Sequence, residues 1–258
     1  MKIGIIGLGY VGSAVAASYD PDQLLINDPA KSNSLPIEVL KAQCDAIFVC
    51  VPTPQSSNGA CNTSILESVI AQLEGYTGIV IAKSTASPLV YQQLEATSGL
   101  KLAHVPEFLT QANAIADYLN PHKIVIGSSS SIATEVSDVI IRSKVTFNQK
   151  INYCSIGEAA FFKYMANTFL AMKVVMNNEY YDLAQQMNLN WEVLSGIAQY
   201  DTRLGDSHWR VPGPDGSRGF GGACFPKDTQ ALAYLAKDLG VDLAVLTAAI
   251  DKNQAYRI

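Results

Sequence analysis

The feature that most constrains this chain is its first dozen residues. A short apolar run beginning at Lys2 leads straight into Gly7-Leu-Gly9-Tyr-Val-Gly12, and the small residues of Ser13–Ser18 follow as the start of a closely packed helix. Glycines at this spacing permit a tight turn, admit a pyrophosphate close to the backbone and let the helix settle on the sheet. Gly7, Gly9 and Gly12, with Tyr10 and Val11 between them, are therefore candidate dinucleotide contacts. The pattern is weak by itself and needs the right context. A second strand, Leu24–Asn27, supplies it by ending in Asp28, about 20 residues past the glycines, where a carboxylate meets ribose hydroxyls. An acid there favours NAD over NADP because it repels a 2′-phosphate. Lys31 moderates that repulsion and joins the cofactor candidates.

Strands and helices then alternate. Ala46–Val51 is a continuous apolar run, as expected of a strand buried on both faces of a parallel sheet, and it ends in Pro52-Thr53-Pro54. Asn62 is placed to cap a helix running to about Leu73, Ile79–Ala82 is a strand ending in Lys83-Ser84-Thr85, and Pro88 opens another helix. Lys101–Val105 ends in Pro106-Glu107-Phe108, and strands at Lys123–Gly127 and Lys144–Phe147 flank a helix from about Ile132 to Arg142. Residues 1–149 thus read as a doubly wound, Rossmann-type α/β domain. Ligands of such sheets bind beyond the carboxyl ends of the strands, which raises Thr53, Ser84, Thr85 and Glu107 above ordinary turn formers.

From about Ser155 the pattern changes. Residues 156–186 contain no proline, and their single glycine lies in the first turn, so they read as one helix of about 30 residues. Residues 150–258 form an all-helical domain around it, with further helices at Trp191–Gln199, Pro226–Leu239 and Asp242–Ile258. On the long helix Lys163 and Asn167 share a face, among Phe161, Phe162, Tyr164 and Met165. A lysine packed among aromatics needs a partner or a chemical task. Late in the chain, Gly219-Phe-Gly-Gly-Ala-Cys224-Phe-Pro-Lys-Asp228 sets a cysteine just before a helix that Pro226 opens. Partial positive charge there favours a thiolate, although a cysteine beside a glycine turn also serves as a small buried apolar residue.

Charge and cysteine usage narrow the classes. A net charge of −5 argues against a nucleic-acid partner but leaves room for a phosphorylated small molecule. Five cysteines without a C-x-x-C spacing favour reduced thiols in a cytoplasmic protein over disulfides or a metal site. The strand pattern begins too early for a leader, and no apolar run reaches the ~20 residues that span a bilayer, so no membrane partner is expected.

Taken together, Gly7–Gly12, Asp28, Val51–Pro54, Ser84-Thr85, Pro106-Glu-Phe-Leu109, Lys163-Tyr-Met-Ala-Asn167 and Gly219–Asp228 resemble the UDP-glucose/GDP-mannose dehydrogenases over nearly the whole chain. The resemblance implies NAD-dependent oxidation of a nucleotide sugar's primary alcohol to a carboxylate in two steps. It makes Cys224 the nucleophile that holds the aldehyde, and Lys163 and Asn167 the oxyanion donors. Asp228, Glu107 and Thr85 would manage protons and water. Glu107, Phe108, Leu109, Lys163, Asn167, Phe220 and Gly221 would line the substrate, Arg203 would reach a neighbouring subunit's sugar nucleotide, and the long helix would form a homodimer. Departures from the family pattern are Thr110-Gln111 where an Arg-Glu pair is usual, and a longer Arg203–Cys224 loop. A further α/β domain of about 100–150 residues is expected where this chain stops. A one-step 3-hydroxyacid dehydrogenase of the 6-phosphogluconate type and a non-catalytic NAD-binding remnant are the competing readings.

Overall fold

The computed structural model describes residues 1–146 and 150–257. Its strands are β1 (Ile3–Ile6), β2 (Leu24–Asn27), β3 (Ala46–Val49), β4 (Ile79–Ala82), β5 (Lys101–His104), β6 (Ile124–Gly127) and β7 (Ile151–Cys154). They form one sheet in the order β2-β1-β3-β4-β5-β6-β7, parallel except where β5 and β6 pair antiparallel through His104 and Gly127. The order reverses between β1 and β3, the switch point beyond whose carboxyl ends sheets of this kind bind ligands. The intervening helices are α1 (Tyr10–Ala17), α2 (Ile37–Gln43), α3 (Ser64–Gln72), α4 (Pro88–Thr97), α5 (Ala114–Leu119) and α6 (Ser130–Ile141). Both sheet faces are covered. Ile6, Ile47, Val49, Val80 and Leu102 pack with Leu66, Leu73 and Tyr91 on one side, whereas Ile3, Ile5, Phe48, Ile81 and Ile126 pack with Val15, Val136 and Ile140 on the other. Alternate residues of each strand thus serve opposite layers, which is why these strands read as unbroken apolar runs.

Contacts divide the chain into two units. The first comprises Met1–Pro54 and Asn62–Lys163; the second comprises Gln55–Cys61 and Tyr164–Ile258. The division falls inside α7 (Ile156–Gln186), not at 149/150 as the change of sequence pattern suggests, because Ile156 and Ala160 pack into the core of the first unit. The second unit contains the rest of α7 with α8 (Trp191–Tyr200), α9 (Phe225–Asp238) and α10 (Ala244–Tyr256). Its long loop is fastened to α7 by polar side chains. Lys173 donates to the carbonyls of Leu204, Gly205 and Ser207, Asn177 donates to that of His208, and Arg218 donates to Asn178. Among the described residues no helix is long and apolar enough to cross a membrane.

Two expectations from the sequence need correcting. The strand expected at Lys144–Phe147 does not form over 144–146: the Lys144 and Thr146 amides donate to Ser18 and Leu119 instead of to a ladder, and Phe147 lies outside the described residues. The last strand is β7, a few residues later. Thr63, not Asn62, stands at the N-cap of the helix beginning near Asn62, without a side-chain cap hydrogen bond, and the Asn62 carboxamide accepts from the Ser64 amide. The short helices α2 and α5 carry too few residues to show a period.

The first glycine turn is tight enough to forbid a side chain. A Cβ on Gly12 would lie 2.0 Å from the carbonyl oxygen of Gly7, and neither group can move without rebuilding the turn. Gly12→Ala should cost at least ~1–3 kcal/mol, read as a lower urea midpoint with an unchanged m-value. Wild-type stability in that variant would contradict this packing.

Candidate active site

In the first unit, the dinucleotide end of the sheet is built by β1 and β2. Gly7 turns the chain at φ +89°, and a Cβ at Gly9 would meet nothing within 4 Å, so the turn leaves open space for a phosphate. Asp28 follows β2, and its carboxylate accepts from the amides of Leu8 (2.5 Å) and Ala30 (2.8 Å). Those two hydrogen bonds, Leu8 first, hold its pKa below the ordinary value against a small desolvation effect, with Lys31 helping. An ionised carboxylate with lone pairs to spare fits a ribose diol. Tyr10 and Val11 stand in the first turn of α1, and Tyr10 and Lys31 are exposed. The residues present fit a dinucleotide.

Thr53 and Ser84 have other work as well. The Thr53 hydroxyl donates to the Thr85 carbonyl (2.7 Å), and the Ser84 hydroxyl donates to the Val51 carbonyl (2.7 Å). Both tie the loops after β3 and β4 together, while Thr85 is half-buried beside them. Lys83 precedes them at the end of β4, 5% exposed, with its ammonium 5.3 Å from the centre of the Tyr118 ring. Burial lowers its pKa to about 8. Lys83 was legible as a charge closing an apolar strand, yet it is absent from the expected site residues.

Beyond β5 the chain turns through Glu107, which is 6% exposed. Its Oε1 accepts from Lys163 Nζ (2.8 Å), its Oε2 accepts from the Leu109 amide (2.8 Å), and its backbone carbonyl accepts a second Lys163 hydrogen bond (2.6 Å). Burial by itself would raise the Glu107 pKa, but Lys163, the Leu109 amide and Lys83 outweigh it and hold the carboxyl below the usual value. Glu107 is accordingly an ionised partner that aims Lys163, and a weak base. The aromatic surroundings of Lys163 are also present: its ammonium lies 5.4 Å from the Phe108 ring, which Lys123 approaches to 4.2 Å and Phe162 meets edge-on. A cavity of about 80 Å³ opens next to this group, lined by Lys83, Glu107, Phe108, Leu109, Tyr118 and Lys123 among others.

The second unit carries the remaining residues. Cys224 stands at the N-cap of α9 with Pro226 in the first turn, and it is part-exposed. Gly219 and Gly222 take φ of +68° and +77°, the left-handed turns that a loop bending into a helix requires. One turn into α9, Asp228 is 1% exposed, accepting from Asn167 (2.6 Å) and from Lys227. Phe220 is buried against Ala171 and Val175, its backbone clamped by the Asn253 carboxamide, and Gly221 lies against the guanidinium of Arg257. Arg203 is exposed and chelated by Asp201. Asn253 organises this loop and was not singled out, since it carries no signal beyond being polar on a helix.

Known proteins resemble this chain over nearly its whole length. Residues 30–143 match the UDP-glucose/GDP-mannose dehydrogenase family, NAD binding domain, and residues 157–255 match the same family's central domain. UDP-glucose 6-dehydrogenase AglM of Haloferax volcanii is 29% identical over 98% of this chain and 69% of its own length. A putative UDP-glucose 6-dehydrogenase of Bacillus subtilis, YtcA, is 31% identical over 96% of this chain and 66% of its own length. The solved structure of a UDP-glucose dehydrogenase from Pyrobaculum islandicum superposes with a TM-score of 0.82 at 25% identity, covering 98% of this chain and 68% of that one. The chain thus spans about two thirds of the length of these relatives.

The buried ion pair makes a pH-dependent prediction. Removing one partner strands the other in the interior, so Lys163→Met should cost about 3–5 kcal/mol by urea denaturation. Because the folded-state pKa of Glu107 is depressed, its contribution is complete above the ordinary value of 4.5 and is lost as the pH falls through the lower, folded value. Glu107→Gln should therefore flatten the acid limb of the stability profile. An unchanged acid limb would show that the pair is not formed.

Proposed function

We propose that this chain, which belongs to the UDP-glucose/GDP-mannose dehydrogenase family, oxidises the primary alcohol of a nucleotide-activated sugar to a carboxylate with NAD. Members of the family are NAD-dependent oxidoreductases acting on CH–OH groups, and the first unit is the family's NAD-binding domain. The observation that carries the reading is the first turn of α9, where a part-exposed cysteine at the N-cap precedes a buried aspartate bound to Asn167. A one-step dehydrogenase has no need of a thiol there.

Gly7, Gly9, Tyr10, Val11, Gly12, Asp28, Lys31, Thr53, Ser84 and Thr85 would hold NAD, which when bound supplies the hydride acceptor. In the chemistry proposed for the chain's own groups, the Cys224 thiolate adds to the aldehyde carbon and keeps it from escaping as a thiohemiacetal; after oxidation to the thioester, water releases the acid. Oxyanion charge needs donors. Lys163 has three N–H bonds and gives two to Glu107, while Asn167 has two and gives one to Asp228, so each keeps one for the oxyanion, worth ~3–4 kcal/mol for a good donor. Asp228, with Glu107 and Thr85, would orient the hydrolytic water. Phe108, Leu109, Phe220 and Gly221 would line the sugar, and Arg203 would reach a neighbouring subunit's substrate.

The partner of that arrangement is a second copy of the chain. Phe161, Met165, Phe169, Met176, Tyr180 and Leu183 are all exposed on α7. Steps of three, four or seven place them on one stripe, and an exposed apolar stripe of this length marks an interface. Phe169→Asp should give a folded monomer in sedimentation; an unchanged association state would contradict the assignment.

A screen of UDP- and GDP-sugars for NADH formation tests the activity. A substrate should yield two NADH for each acid formed, whereas one NADH per turnover would exclude the two-step reaction. Cys224→Ser should leave NAD affinity intact and cut acid formation by on the order of 10³-fold or more; unchanged acid formation would remove the thiol from the mechanism.

A further inference from the structure

In the second unit, the loop that leads to Cys224 belongs to no helix or strand, yet every backbone polar group of Gly219 and Phe220 is held by a side chain. The Gly219 amide donates to Asn178 Oδ1 of α7 (3.2 Å), and the Gly219 carbonyl accepts from Arg257 Nη2 (3.0 Å). The Phe220 amide donates to Asn253 Oδ1 (2.7 Å), and the Phe220 carbonyl accepts from Asn253 Nδ2 (3.0 Å). One carboxamide thus does for Phe220 what a neighbouring strand would do, both accepting from and donating to the same residue. Asn253 is buried, so water competes poorly for either hydrogen bond. Arg257 is itself steadied by Asp215, which accepts from its Nη1 (2.6 Å).

This clamp needs glycine on either side of Phe220. A Cβ on Gly219 would lie 2.3 Å from Asn253 Oδ1, and one on Gly221 would lie 2.6 Å from the guanidinium of Arg257. The closing groups share one stripe of α10: Ala249, Asn253 and Tyr256 follow the spacing i, i+4, i+7, and Arg257 stands at the C-cap. Ala249 and Tyr256 pack on the cluster that holds the Phe220 side chain, and so does Phe225. The rings of Phe220 and Phe225 meet edge-on, with centroids 6.4 Å apart at 78°. Phe225 opens α9 and is the residue next to Cys224, whose carbonyl accepts from the Asp228 amide (2.8 Å). The segment 219–224 is therefore fixed by α10 at its start and by α9 at its end. Between the two lies Gly222, where a Cβ would meet nothing within 4 Å.

We propose that Asn253, assisted by Arg257, is the positioning residue for Cys224: α10 holds the glycine loop closed and so keeps the sulfur at the start of α9. Neither side chain needs to touch the substrate. With the clamp removed, the loop turns about Gly222, the Phe220 ring withdraws from Phe225, and the thiol opens to solvent. The consequence for turnover rests on Cys224 being the nucleophile proposed above. A sulfur displaced by about 1 Å captures a carbonyl carbon on the order of 10²-fold less well. The aldehyde then escapes after the first hydride transfer, having yielded one NADH and no acid.

The test compares the full chain with Asn253→Ala and with Arg257→Ala, whose part-exposed side chain makes it the variant to rely on if the first does not fold. Native protein is treated with iodoacetamide, and the rate at each cysteine is read by peptide mass spectrometry. Cys224 should react roughly tenfold faster in Asn253→Ala, the weight of one or two lost hydrogen bonds, and by a smaller factor in Arg257→Ala. Cys44, Cys50 and Cys154, which belong to the first unit, should react as in the wild type. With a nucleotide sugar that the wild type converts to acid, both variants should release aldehyde to a hydrazine trap and form more than two NADH for each acid. A variant that is merely less stable loses NADH and acid in proportion. Unchanged or slower alkylation of Cys224 in the folded variants would overturn the proposal, as would two NADH per acid with no trapped aldehyde. If the wild type forms no acid, faster alkylation of Cys224 still supports the clamp, and the failure falls on the proposed oxidation.

Discussion

The buried contact between Glu107 and Lys163 is the constraint on which the rest of the first unit turns. It joins the end of β5 to the start of α7 through two hydrogen bonds from the Lys163 ammonium, to the Glu107 carboxylate and carbonyl, while the Leu109 amide holds the other carboxylate oxygen. Neither charge can be exposed cheaply or left alone, so the pair fixes where the long helix leaves the sheet. It also leaves one of the three Lys163 N–H bonds beyond the two given to Glu107. The Phe108 ring meets both the Lys163 and the Lys123 ammonium.

Legibility in the sequence followed the strength of the local rule. The strands β1 to β6 were readable because each is an apolar run closed by a turn residue, and the glycine turn because no other residue fits at Gly12. Helix α7 was readable from its length without a breaker. The expected strand at Lys144–Phe147 failed where a β-prone stretch found backbone partners in Ser18 and Leu119 rather than in a ladder. The division of units was displaced because packing of Ile156 and Ala160, and not the change in periodicity, decides to which core the first turns of α7 belong.

Individual site residues divide in the same way. Asp28, Glu107, Asn167, Asp228 and Cys224 drew attention through strand-end position, helix spacing and motif. What the sequence could not carry was how their atoms are spent: Ser84 and Thr53 give their hydroxyls to neighbouring loops, and Asp228 serves both Asn167 and Lys227. Cys61 lay outside every motif. Its packing in the second unit comes from the insertion of one short segment of the first half of the chain, a tertiary fact with no local signature.

The central claim, that a thiol of this chain carries the carbon being oxidised, is tested most directly by the intact mass of the protein. Acid quenching during turnover with a nucleotide sugar and NAD, followed by peptide mapping, should find the sugar's acyl group on the peptide bearing Cys224, removable by hydroxylamine. An acid product formed without any covalent species on Cys224, or an adduct on another residue, would contradict the account.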